Sequence, residues 1–224
     1  MATTLVLSKN AINRAIMAYE VSWSAKTGFD TYNRQYARPV VPAPEKTDSG
    51  ITVGIGYDAG MVSALTIRKD WTSVIPKNMV DALEKVAGLK KYNAVRALPI
   101  VKNVHIPVEA ALQVFYNNTI YKYAGQALSI YPNLPNIHPV EQAVLTGLVY
   151  NRGKSLEGPR RKEMKELVKY IAQDDDKKMA DTIRAMVRLW PDLRGLRDRR
   201  RLEAALVELP DLPIAEYDKL YLIV

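Results

Sequence analysis

Four glycines within eleven residues constrain this chain more than any other feature: Gly50, Gly54, Gly56 and Gly60 punctuate the run that begins Ser49-Gly50-Ile51-Thr52-Val53-Gly54-Ile55-Gly56-Tyr57-Asp58. The intervening residues are mostly apolar and β-branched, which favours extended backbone. Glycine interrupts such a run where the chain bends or where another group approaches the backbone closely. Residues 51 to 57 therefore read as strand with Gly bends, a hairpin with Thr52 near its start and Asp58 at its end. Upstream, Asn10 to Glu20 carries Ile12, Ala15, Ile16 and Tyr19 at the spacing of one buried helical stripe. Ser8 or Asn10 can cap that helix. Glu20 falls at its C-terminal end, where the helix dipole disfavours negative charge. With Val21 and Trp23 adding desolvation, the Glu20 pKa is expected to rise, as a general acid near neutral pH requires.

Downstream the chain reads as mostly helical. Residues 39 to 50 are a loop punctuated by Pro and Gly. Helices are expected over 66–71, 76–87 with Gly88 beyond its end, 107 to about 129, 139–151, 162–172, 177–190 and 196–208. Segment 139–151 is nearly all apolar and reads as a buried central helix ending at Gly153. Pro191, Gly195 and Pro210 punctuate the last helices, and the tail ends in an apolar Tyr221-Leu-Ile-Val. The fold class is α+β and mostly helical. One domain of 224 residues is expected, with a smaller α/β lobe over about 1–75, a helical lobe over about 76–224, and a cleft between them.

Composition excludes several classes of function. There is no Cys, so neither a disulfide framework nor thiolate chemistry is available. His105 and His138 are the two histidines, and no Cys/His cluster supports zinc. Neither histidine has a Ser or Cys partner at a readable spacing for a catalytic triad. The pair Gly54 and Gly56 lacks the further residues of a dinucleotide or P-loop fingerprint. No metal and no cofactor is expected. No apolar run is long enough to span a membrane, and the N-terminus lacks the basic leader and apolar run of a signal peptide. Net charge is +8, which attracts polyanions, bacterial wall polymers among them. The basic cluster Arg194, Arg197, Arg199, Arg200 and Arg201 has no interleaved aromatics, so specific nucleic-acid binding is not expected.

A carboxyl group on a helix end followed by a hairpin bearing Thr and Asp suits glycosidic cleavage, which sets an acid and an activated water on opposite faces of a sugar. Glu20, Thr52, Gly54 and Gly56 resemble the phage-type lysozymes, in which a helix-terminal Glu precedes Thr-Ile/Val-Gly-x-Gly on a β-hairpin. Gly195-Leu196-x-x-Arg199-Arg200-x-x-Glu203-x-x-Leu206 is similar to that family's closing helix. Leu145-Thr146-Gly147-Leu148-Val149-Tyr150-Asn151-Arg152-Gly153 is similar to its central helix. The three matches occur in order and span residues 20 to 206. The resemblance implies a lysozyme-like two-lobed fold and muramidase activity on peptidoglycan glycan strands, with net inversion. It implies Glu20 as general acid, with Asp58 and Thr52 serving the water. Tyr57, Gly54, Gly56, Tyr150, Asn151 and Arg152 would contact substrate. A monomer is expected, and an inhibitor or immunity protein is a partner the resemblance allows. Synthesis in the cytoplasm is expected, with delivery to the wall by a holin, a phage particle or a secretion system.

The chain departs from the family at informative points. The usual position of the acid, six residues before Thr52, holds Lys46. Asp58 instead lies six residues after Thr52, the order found in pesticin-like lysozyme domains, and Asp48 is its rival as second carboxylate. Tyr57 stands where the family often has His. The segment before the hairpin carries Tyr32, Arg34, Tyr36, Arg38, Pro39, Pro42 and Pro44, and reads as an inserted loop rimming the cleft. Each candidate also has a plain structural reading. Asp favours turns on its own account, Thr is a good strand residue, and Asn151 with Gly153 can end a helix. Arg199 or Arg200 would pair with interior carboxylates or carbonyls. A catalytically silent wall-binding or phage structural module is the alternative function.

Overall fold

The computed structural model describes residues 2–209 and 211–224. Pro210, expected to punctuate the last helix, lies outside the described residues. The protein is α+β and mostly helical. Among the described residues, four short strands form two antiparallel pairs: β1 (Thr4–Ser8) with β4 (Lys219–Ile223), and β2 (Thr52–Val53) with β3 (Tyr57–Asp58). No helix among them is long and apolar enough to cross a membrane. The chain divides into two compact units, Met1–Tyr19 with Ile120–Val224, and Glu20–Thr119.

The larger unit is built on the helix Pro139–Arg152, buried without interruption from Glu141 to Val149. His138 caps it: the His138 side chain accepts from the Val140 N–H, and Glu141 reaches back to the His138 N–H at 3.1 Å. This reciprocal arrangement satisfies donors that a bare helix start leaves unpaired. Gly153, at φ +74°, ends the helix as the sequence suggested. Gly147 lets the helical segment 9–17 pack close, since a Cβ there would stand 3.0 Å from Ile16. That segment is capped by Ser8, which accepts from the Ala11 N–H at 3.1 Å, and it passes through a π turn at Asn13–Met17. Helices Ile120–Ile130, Lys162–Ala172, Asp176–Ala185 and Arg194–Val207 belong to the same unit. The apolar tail is β4, whose partner β1 turns Leu5 and Leu7 fully into the core.

A charged knot lies inside this unit. Glu203 is fully buried, and its Oε1 accepts from Arg199 Nε at 3.1 Å and Arg200 Nη2 at 2.8 Å. Burial pushes the Glu203 carboxyl up, against the pull of the two guanidinium groups. Both arginines thus take the interior role expected of one. Arg199 also lies 5.4 Å from the Tyr19 ring, and Arg152, Arg160 and Arg200 surround the Trp190 ring at 5.0, 6.0 and 5.8 Å. Arg194 and Arg201 stay exposed and pair with Asp198.

The smaller unit holds the hairpin and the helices Ala64–Trp71, Lys77–Glu84, Lys91–Ala97 and Val108–Val114. Trp71 is fully buried. A ring of that size removes roughly 200 Å² from water, a gain on the order of 5 kcal/mol. The units do not follow the expected break near residue 75. Backbone bonds explain the difference: Gly88 N–H to Ala59 O at 2.9 Å, Lys91 N–H to Ser49 O at 2.9 Å, and Ile106 N–H to Ala37 O at 2.8 Å. These stitch the later segment onto the hairpin and its approach loop. The expected helix from Pro107 is found as Val108–Val114, a π turn at Phe115–Thr119, and Ile120–Ile130, with the division between units at 119/120.

Candidate active site

The hairpin is tighter than a strand with bends. Its strands are two residues each, joined by Gly54-Ile55-Gly56. Gly54 and Gly56 stand at φ +58° and +67°, values that side chains resist, and so turn the chain back at once. At the other end Gly50 and Gly60 face each other. A Cβ on Gly50 would meet Leu89 O at 2.3 Å and Gly60 Cα at 2.5 Å. These two glycines serve contact of backbone with backbone.

Thr52 pairs with Asp58 across the hairpin. The neighbouring pair is the hydrogen-bonded one, with the Ala59 N–H on Ile51 O at 2.9 Å. Thr52 and Asp58 therefore form the closer, non-hydrogen-bonded kind of pair, with both side chains on one face. The backbone of Thr52 bonds outward instead: its N–H reaches Val40 O at 2.7 Å, and its carbonyl accepts the Val40 N–H at 3.0 Å. The Thr52 hydroxyl lies 3.5 Å from Gly50 O. Both side chains are half-buried.

Asp58 has structural work as well. Its Oδ1 accepts the Gly50 N–H at 3.0 Å and the Gly60 N–H at 2.8 Å, and it caps the short helix Ala59–Met61. One oxygen thus holds the two ends of the glycine contact together. The rival acid Asp48 is exposed and bonded to Lys91 Nζ at 2.8 Å, and this contact lowers its carboxyl pKa.

Glu20 closes the helical stretch Ala18–Glu20 and is half-buried. It is the first residue of the unit that contains the hairpin, so Glu20, Thr52 and Asp58 all belong to Glu20–Thr119. Val21 after it is buried, Trp23 is half-buried, and Ser22 at φ +55° turns the chain out of the helix.

Several expected substrate contacts have other roles. Tyr57 alternates to the opposite face from Asp58 and is only 8% exposed. Its hydroxyl donates to Asp70 Oδ2 at 2.8 Å, its ring packs edge-on against Trp71, and burial followed by the Asp70 contact raises its pKa. Gly54 is buried, and the side where a Cβ would stand faces Ala111 and Trp71 at 3.3 and 3.4 Å. Gly56 is exposed. Tyr150, Asn151 and Arg152 belong to the larger unit. Tyr150 packs edge-on to Tyr123, and Asn151 accepts from Arg200 at 3.4 Å. Arg152 is buried between Met164 and Trp190 and donates to Arg160 O; burial, then Arg161, lowers its pKa to about 10. The inserted segment is likewise no simple rim. Tyr32 is fully buried, and its hydroxyl donates to Ile106 O at 3.0 Å.

An open groove of about 440 Å³ in the smaller unit is lined by Arg38, Pro39, Leu98, Pro99, Val101 and Lys102. Pro39 directly precedes Val40, the backbone partner of Thr52. Apart from Arg38 and Pro39 these residues escape a sequence reading, because the helical turn Leu98–Val101 carries no motif. No protein-family model and no curated protein matches this chain.

Proposed function

We propose that this protein is a peptidoglycan hydrolase of the muramidase type, cleaving the β-1,4 bond between N-acetylmuramic acid and N-acetylglucosamine. Glu20 protonates the leaving glycosidic oxygen. A water held by the Thr52 hydroxyl and the Asp58 carboxylate attacks the anomeric carbon from the other face, which inverts its configuration. The observation that carries this reading is the Thr52–Asp58 cross-strand pair, a hydroxyl and a carboxylate on one face of a glycine-built hairpin. The net charge of +8 favours approach to an anionic wall. Digestion of purified peptidoglycan followed by mass spectrometry tests the reading. New reducing ends at muramic acid are expected, and intact glycan after prolonged incubation contradicts it.

A second reading, a wall-binding module without catalysis, is favoured by one observation. The Asp58 Oδ1 is committed to two backbone N–H groups, as a purely structural turn residue would be. Sedimentation of the protein with insoluble peptidoglycan, without soluble products, would support that reading.

A further inference from the structure

Within the larger unit, carboxyl groups from two segments meet. Glu141 lies in the first turn of the helix Pro139–Arg152, Asp176 begins the helix Asp176–Ala185, and Asp174 lies in the turn just before it. One oxygen from each lies within 4.8 Å of the other two. Asp174 is exposed and Asp176 half-buried, so the cluster opens to solvent on one side. Glu141 closes the other side and is only 2% exposed.

The two oxygens of Glu141 differ. Oε2 accepts the His138 N–H at 3.1 Å. Oε1 is shielded from water and no N–H or hydroxyl reaches it; the side chain hydrogen-bonded to Glu141 here is another carboxyl, that of Asp176. The strongest charges acting on Glu141 come from Asp176 and Asp211, both negative. The Lys178 ammonium, two residues along the helix from Asp176, is held by Asp175 at 2.7 Å. A buried carboxyl facing further carboxylates is costly unless a proton or a cation stands among them. The sequence reading expects no metal because it looks for Cys and His; these acids are far apart in the chain, and only the fold unites them.

We propose that Glu141, Asp174 and Asp176 form a binding site for a divalent cation, with Ca²⁺ as its occupant. All donors are hard carboxylate oxygens, the set that suits Ca²⁺ rather than zinc. Asp174 faces solvent, so water can complete the irregular shell that Ca²⁺ accepts and Mg²⁺ does not. The cation stands where Glu141 and Asp176 otherwise share a proton, and ties the start of one helix to the start of another. The site is independent of the hydrolase reading.

The test is thermal unfolding of the full chain after EDTA treatment and dialysis, with and without added CaCl₂ or MgCl₂. At a hundredfold excess over Kd, Ca²⁺ should raise Tm by roughly 5–10 °C, and Mg²⁺ by less. Glu141→Gln retains an acceptor for the His138 N–H, and Asp174→Asn alters an exposed residue. Both variants should fold and lose most of the Ca²⁺ response. An unchanged wild-type Tm in Ca²⁺, or an undiminished response in both variants, overturns the site. A shift with Mg²⁺ as large as with Ca²⁺ overturns the assignment of calcium.

Discussion

Thr52 stands directly across the hairpin from Asp58, and the same Asp58 carboxylate receives the N–H groups of Gly50 and Gly60. One residue thus combines a hairpin-closing role with the proposed role of holding the attacking water. The two roles separate under substitution. Asp58→Asn keeps an acceptor oxygen but loses the charge, so Tm should stay within a few degrees while lysis falls roughly 10²–10⁴-fold. Asp58→Ala leaves two N–H groups without a partner and should also cost about 2–4 kcal/mol in denaturant unfolding. An Asn variant with full lytic activity would leave Asp58 only the structural role. Asp48→Asn, at an exposed residue, should leave lysis within about twofold of wild type.

The contact between Gly50 and Gly60 admits no side chain. Gly50→Ala places a methyl group 2.3 Å from the Leu89 carbonyl, which is backbone and cannot swing aside. The expected loss is about 2 kcal/mol or more, with a drop in lysis as the hairpin shifts. Urea unfolding checks the first, and turbidity loss of purified walls the second. A stable, fully active Ala variant would mean that this contact opens easily.

Tyr57→Phe tests whether this residue serves the substrate or the core. Its hydroxyl bonds Asp70 and its ring packs on Trp71. Removing the hydroxyl should cost about 1 kcal/mol of stability and leave kcat and KM near wild type. A selective rise in KM at unchanged stability would restore the substrate contact that its place in the motif suggests.

Glu203 is bonded to both Arg199 and Arg200 in the interior. Glu203→Gln should destabilise the protein by about 3–5 kcal/mol, because a charge-assisted bond to each of two buried guanidinium groups is weakened. Chemical unfolding measures this directly. A loss under 1 kcal/mol would indicate that other groups compensate those arginines.

Local chemistry was the legible part of this chain. Apolar periodicity located the central helix, Gly153 marked its end, Ser8 was one of two candidate caps for the first helix, and the resemblance of the closing helix pointed to an interior partner for Arg199 or Arg200 without naming Glu203. Those signals lie within a few residues of one another. The β1–β4 pair was hidden because its strands lie at opposite ends of the sequence and neither carries a turn signal. The helix Lys91–Ala97 was missed because Ala94 and Ala97 alone mark its buried side. Tyr32 and Tyr57 looked like cleft aromatics, since burial depends on distant partners, Ile106 and Trp71, that local pattern does not reveal. The division between units was obscured for the same reason, because backbone bonds from Ala59, Ser49 and Ala37 draw in residues that read as the start of another lobe.

The central claim is that Glu20 supplies the proton for bond cleavage. The direct measurement is the rate at which reducing ends appear in purified peptidoglycan, for wild type and Glu20→Gln matched in Tm and circular dichroism. The account predicts steady release by the wild type and a loss of at least roughly 10²-fold in the variant. Equal rates from the two proteins would contradict it.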